Sequence, residues 1–255
     1  MYNEALRSKK KLILCEDGTN TLFSEEFSEP YHSTKDGALH ESLEKHVKPA
    51  FRIKKELSSL TILDLCFGLG YNSFATLYYI KKNRLNIKVH ILSPEFDKEL
   101  IHSLKKFTYP NEFNELKEII YEVSQNLYYE DEQFKIEILL GDARVSVPKI
   151  KNRIDIVYQD AFSPTHNPLL WTREFFTDIV SISKEDVILT TYSTAASTRL
   201  GLYESGFLIF IHYGEKTRYS TIASTKRLND LEYIDMELKK VRNPTAKSFR
   251  DRDFI

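Results

Sequence analysis

Short, nearly continuous apolar runs recur along the chain, each closed by a glycine, an acid or a polar turn. Runs at 60–65, 87–92, 134–140, 153–159 and 186–192 read as strands buried on both faces, as in a sheet covered by helices on either side. Stretches of helical spacing separate them, as crossovers between parallel strands require. The longest, 96–133, is acidic and carries Phe113, Leu116, Ile119, Ile120 and Val123 at helical intervals. It predicts helices inserted between the second and third strands rather than a separate domain. Two last runs, 207–213 and 219–224, are joined only by Gly214-Glu215-Lys216-Thr217-Arg218. That link is too short for a crossover helix, so these strands must pair antiparallel. Residues 57–230 therefore predict an α/β domain on a seven-stranded mixed sheet with an antiparallel last strand. Residues 1–56 read as an extension with a hairpin turn at Asp17-Gly18, followed by a segment that either covers a sheet edge or forms a lid over a ligand. Residues 231–255 read as a polar, basic tail, partly mobile.

Candidate chemistry sits where the strands end. Leu60 to Leu65 runs into Cys66-Phe67-Gly68-Leu69-Gly70-Tyr71-Asn72-Ser73, where glycines at 68 and 70 allow unusual dihedrals and close approach of a ligand. Ser73 replaces the third glycine of the dinucleotide fingerprint and Asp64 precedes the turn, which favours a nucleoside cofactor without a pyrophosphate. Glu95 follows the second strand at the distance expected of a ribose-binding carboxylate. The third strand ends in Gly141-Asp142-Ala143, an acid that can accept an exocyclic amine or simply shape a turn. The fourth strand delivers Asp160 into the loop Ala161-Phe162-Ser163-Pro164-Thr165-His166-Asn167-Pro168, ahead of Trp171. Thr172 can cap the helix that follows, which leaves Asp160 as a costly carboxylate in an apolar setting, in want of a task or a partner.

Composition narrows the picture only slightly. Two cysteines, Cys15 and Cys66, in 255 residues do not make a secreted disulfide scaffold and fit free thiols in a reducing cytoplasm. No run has the length or apolarity of a membrane span, and Met1-Tyr2-Asn3-Glu4 lacks a signal-peptide core. His32, His40 and His46 match no zinc spacing, so no metal is expected. The formal charge of -1 argues mildly against wrapping nucleic acid. Basic residues nonetheless cluster at 9–11, at Lys48, Arg52, Lys54 and Lys55, and at Lys239, Lys240, Arg242, Lys247, Arg250 and Arg252.

A parallel sheet with a terminal antiparallel hairpin, glycines after its first strand and acids after the next three resembles the Rossmann-like class I methyltransferase fold, which binds S-adenosyl-L-methionine. More specifically, Leu22-Phe23-Ser24, Tyr31-His32-Ser33 with Gly37 and Glu41, Phe67 to Asn72, Glu95, Gly141-Asp142 and Asp160-Ala161-Phe162-Ser163-Pro164 with Asn167-Pro168 and Trp171 resemble the MnmC methyltransferase domain. The resemblance runs from about Asp17 to Ser224. It implies a methyltransferase that uses S-adenosyl-L-methionine to methylate the 5-aminomethyl group of (2-thio)uridine at the tRNA wobble position. It places Gly68, Gly70, Asn72, Glu95, Asp142 and Ala143 in the cofactor site and Asp160 in the catalytic site. Many relatives are fused to a flavin-dependent oxidase, and no such half follows here before Ile255. The expectation is a stand-alone enzyme whose 5-aminomethyluridine is supplied by separate enzymes. The expected partner is the anticodon arm of tRNA.

A primary amine attacking a sulfonium methyl needs a free lone pair in line with the bond. Asp160 can orient that amine and receive or relay its proton. Phe162, Tyr192 and Trp171 can stack on a splayed-out base, or serve the core. Two rivals remain: aminopropyl transfer of the polyamine synthase kind, whose sites should carry more acids than this loop has, and a non-catalytic RNA- or nucleoside-binding module.

Overall fold

The computed structural model describes residues 10–254. Lys9 of the first basic cluster, and the rest of residues 1–9, lie outside the described residues. β1 (Lys10–Leu14) and β2 (Asn20–Ser24) pair antiparallel about Asp17-Gly18, and β3 (Glu29–Pro30) adds to β2. Gly18 takes the left-handed conformation that such a turn needs, φ 82°. The chain then enters α1 (Ala38–Glu41), continues through a π-helical stretch, Ser42–Val47, and leaves by α2 (Lys48–Ile53).

The main sheet follows as β4 (Ser59–Leu65), α3 (Tyr71–Lys82), β5 (Lys88–Glu95), α4 (Lys98–Ser103), α5 (Lys117–Asn126), β6 (Tyr128–Glu130), β7 (Phe134–Leu140), α6 (Ala143–Ser146), β8 (Ile154–Gln159), α7 (Arg173–Ile182), β9 (Ser183–Thr191), α8 (Ala196–Glu204), β10 (Leu208–His212), β11 (Ser220–Ser224), β12 (Glu232–Ile234) and α9 (Met236–Arg242). Its order is β12-β10-β11-β9-β8-β4-β5-β7-β6. β7, β5, β4, β8 and β9 are parallel, and β11 inserts antiparallel between β9 and β10. The sheet therefore has nine strands, not the seven read from the sequence. The additions, β6 on β7 and β12 on β10, are three-residue edge strands. They are too short and polar to show a period of their own, and pairing with an existing edge defines them.

Alternation along β4 divides the core. Leu60 and Ile62 pack under α3 with Phe74 and Leu77, whereas Leu63 and Leu65 pack on the other face with Phe175 and Phe176 of α7. Each fully buried side chain of this size contributes about 1.5–3 kcal/mol. Thr172 caps α7, its hydroxyl accepting from the Phe175 N–H. The segment after Leu231 is packed rather than loose. Met236 is buried, the Phe249 carbonyl accepts from the Arg173 N–H, and Arg250 pairs with Glu174 at 2.6 Å.

Candidate active site

The parallel strands end on one edge of the sheet and carry Asp64 on β4, Glu95 on β5, Asp142 just past β7 and Asp160 just past β8. The turn after β4 is wound through left-handed residues, Cys66 (φ 66°), Gly68 (φ 54°) and Gly70 (φ 72°). A Cβ on Gly68 would stand 3.0 Å from the Tyr31 ring, so the turn and the N-terminal arm close on each other there. Gly70 serves a different end from the one expected. A Cβ would lie 2.5 Å from Phe74 and 2.7 Å from Phe67, and the residue opens α3 without lining the cleft.

A cavity of about 290 Å³ lies over this edge. Asp160 reaches it from β8, Asn72 from α3, Glu95 from β5 and Tyr192 from the end of β9, while Tyr31, His32 and Glu41 form the opposite wall. The Asn72 Nδ2 donates to Asp160 at 2.8 Å and also faces Asp64 at 3.5 Å; Ser73 Oγ donates to Asp64 at 2.6 Å. From the π-helical stretch, His46 places Nε2 3.5 Å from Asp160, and its Nδ1 meets Thr190 Oγ1 at 2.8 Å.

These neighbours set the charges. Burial, the largest single influence, would raise the Asp160 carboxyl, but His46, His32 and Asn72 together outweigh it, and the group is held below the usual carboxylate range. Asp160 is therefore ionised at neutral pH. Asp64, sealed beneath the turn, is pushed up to about 7 by burial, against the pull of Ser73 and Asn72. Burial also raises Glu95, lowers His32, and lifts the Cys66 thiol well above its ordinary value, which makes it a poor nucleophile. Glu41 accepts from the Ser33 N–H at 2.7 Å and pairs with Lys45 at 2.8 Å, so its charge is already met.

An adjoining pocket of about 200 Å³ shares Cys66, Glu95, Phe96 and Asn167 with the first and adds Asp142 and Ala143. The Asp142 side chain caps α6 by accepting from the Arg144 N–H at 2.8 Å. Glu95 accepts from the N–H groups of Gly68 and Asp97, both at 2.8 Å, and its carboxylate retains acceptor capacity. The Asn72 Oδ1 is buried without a partner, an acceptor left for a donor such as an amino group. The two pockets thus join into one two-part cleft along the strand ends, with Glu95 on their shared wall and Asp142 and Ala143 in the second part.

Among the aromatics, Phe162 and Tyr192 line the cleft, and Tyr192 donates to the Ala161 carbonyl at 3.0 Å. Phe162 is stacked on Phe27 of the arm at 4.4 Å. Trp171 is not available to a ligand. It is fully buried and its indole N–H donates to the Phe162 carbonyl at 2.8 Å, which anchors the loop. Sequence reasoning gave no role to His46 or to Glu29. The Glu29 carboxylate accepts from the Ser163 N–H at 2.9 Å, from the Ser163 hydroxyl, and meets His166 Nδ1 at 2.6 Å. No local pattern marks either residue, since each is placed by tertiary packing across more than a hundred positions of chain. Among the described residues no cluster of His, Cys, Asp or Glu is arranged to hold a metal, and no helix is long and apolar enough to cross a membrane.

A family model for S-adenosyl-L-methionine-dependent methyltransferases matches residues 102–226. Fold, strand-end acids and two-part cleft together define an S-adenosyl-L-methionine-dependent methyltransferase of the class I fold. The structure of MnmC2 from Aquifex aeolicus superposes with a TM-score of 0.84 at 32% identity, covering 98% of this chain and 80% of that one. The chain belongs to the MnmC-type family of these methyltransferases. An uncharacterised protein of Methanocaldococcus jannaschii is 33% identical over 208 residues, 80% of this chain and 56% of that protein. The tRNA 5-methylaminomethyl-2-thiouridine biosynthesis bifunctional protein MnmC of Pseudomonas entomophila is 27% identical over 199 residues, 72% of this chain and 30% of that protein. The chain thus spans about half the length of the first and under a third of the second.

Proposed function

We propose that the protein N-methylates the 5-aminomethyl group of (2-thio)uridine at the wobble position of tRNA, with the anticodon arm as its partner and separate enzymes supplying the aminomethyl nucleoside. The observation that supports this reading is one carboxylate, Asp160, held by Asn72 and His46 in a two-part cleft flanked by aromatic side chains. When bound, S-adenosyl-L-methionine supplies an electrophilic methyl group. Asp160 accepts a hydrogen bond from the substrate amine and turns its lone pair toward that methyl. Asn72 and His46 hold the carboxylate from two sides. Phe162 and Tyr192 give the base apolar walls. Polyamine synthesis is less well supported, because Glu41 is already paired with Lys45 and the side chains within reach of the Asp160 carboxylate are His46 and Asn72.

An alkyl ammonium with a reference pKa of about 10 is largely protonated at neutral pH, whereas Asp160 is ionised throughout the working range. The single-turnover rate with tRNA carrying 5-aminomethyluridine should rise with pH until another step limits. tRNA with an unmodified wobble uridine should accept no methyl group. A rate flat in pH, or equal transfer to both tRNAs, would rule out the amine as acceptor.

A further inference from the structure

Two residues beyond Tyr192, Thr194 lines a separate pocket of about 340 Å³ that shares no lining residue with the cleft. Its wall includes the start of α8, Arg199, and Lys239, Lys240 and Arg242 of α9, and no carboxylate. Three features of different origin converge on it. Ala195 stands at the N-cap of α8 with no side chain capping the first turn, so N–H groups there lack intrahelical acceptors at the positive end of the helix. The Arg199 Nε donates to Thr221 Oγ1 at 3.0 Å, and that hydroxyl donates to the Ser193 carbonyl at 2.7 Å, which fixes the guanidinium; its Nη2 is buried with no partner. Lys240 pairs with Glu237 at 3.4 Å, but Lys239 and Arg242 form no ion pair among the described residues.

We infer that this pocket binds a phosphodiester group of the tRNA substrate, close along the strand to the nucleotide held in the cleft; the inference rests on the tRNA reading above. A planar guanidinium with unused donors matches phosphate oxygens as a fork, and an uncapped helix start is a ready anion site. Tyr192 and Thr194 are two residues apart, at most about 7 Å of chain, so a base against one and a backbone phosphate beside the other belong to neighbouring parts of one strand. Two other basic residues are engaged elsewhere. Arg250 is paired with Glu174, and Arg144 with Asp251.

The test measures binding of tRNA carrying 5-aminomethyluridine to the full chain as a function of salt. Lys239→Gln with Arg242→Gln should weaken binding at least tenfold and lower the salt slope by about 0.7–0.9, the value for one phosphate contact. Arg199→Lys keeps the charge and loses the fork, so affinity should fall several-fold with the slope unchanged. Lys149→Gln with Lys151→Gln, ahead of β8 at the opposite end of the sheet, removes the same charge and should do neither. S-adenosyl-L-methionine affinity should hold in every variant, as a check on folding. Wild-type affinity and slope in the pocket variants, or an equal loss in the Lys149 and Lys151 control, would overturn the inference alone. So would inorganic phosphate bound by the wild type and lost in the α9 variant while tRNA affinity stays the same, since the pocket would then serve a free anion. Wild-type protein that binds no tRNA would sink the substrate reading and this inference together.

Discussion

Asp64 and Asp160 stand at adjacent strand ends and face the same Asn72 amide, yet their surroundings drive them apart. Asp64 is raised to about 7 by burial, while Asp160 is held low chiefly by His46 against the burial that would raise it. Pairs of titratable groups pushed in opposite directions mark a division of labour: the exposed face of the pair carries the charge, and the sealed member can carry a proton. Asp160→Asn should keep the loop and the cofactor pocket and lose the charged acceptor. Turnover should fall by about 10²-fold or more, with S-adenosyl-L-methionine binding by calorimetry nearly unchanged. Glu95→Ala should do the reverse and weaken cofactor binding by about 1–3 kcal/mol. Wild-type turnover in Asp160→Asn would leave that residue a structural role only. At this scale the acids were legible because each closes an apolar run. His46 was not, because it depends on where a π-helical stretch of the N-terminal segment meets β8.

At the scale of elements, the N-terminal arm and the loop after β8 behave as one wall. Glu29 of β3 holds Ser163 through its N–H and hydroxyl, and Phe27 stacks on Phe162. The arm also places Tyr31, His32 and Glu41 along the cleft. The hairpin at Asp17-Gly18 could be read from its turn residues, but whether the arm covers an edge or closes a site could not, since that depends on partners more than a hundred residues away. Glu29→Ala leaves a backbone N–H and a hydroxyl without their acceptor. Stability should fall by about 1–3 kcal/mol, and S-adenosyl-L-methionine affinity should fall with it if the arm shapes the cofactor site. Loss of stability with cofactor affinity intact would reduce the arm to a cover. The short strands β6 and β12 were invisible beforehand for the reason given above: each takes its conformation from an edge already formed.

For the whole molecule, the apolar runs placed all five parallel strands and the antiparallel hairpin, because burial on both faces leaves a signal that no single residue can erase. Function needed the strand-end acids together with the resemblance of the loop from Asp160 to Trp171. Trp171 itself shows the limit of that reading, since an aromatic in a functional loop can be its anchor. The formal charge of -1 concealed a divided surface, in which the tail beyond Leu231 is partly tied down by Glu174 and partly gathered with Arg199 around one pocket. The most direct measurement is mass spectrometry of nucleosides from tRNA bearing 5-aminomethyluridine, after incubation with the protein and methyl-labelled S-adenosyl-L-methionine. One labelled methyl on the side-chain nitrogen of the wobble uridine, and nowhere else, is the expected product. Label on a ring atom, on a ribose or on another nucleoside, or no label at all, would contradict it.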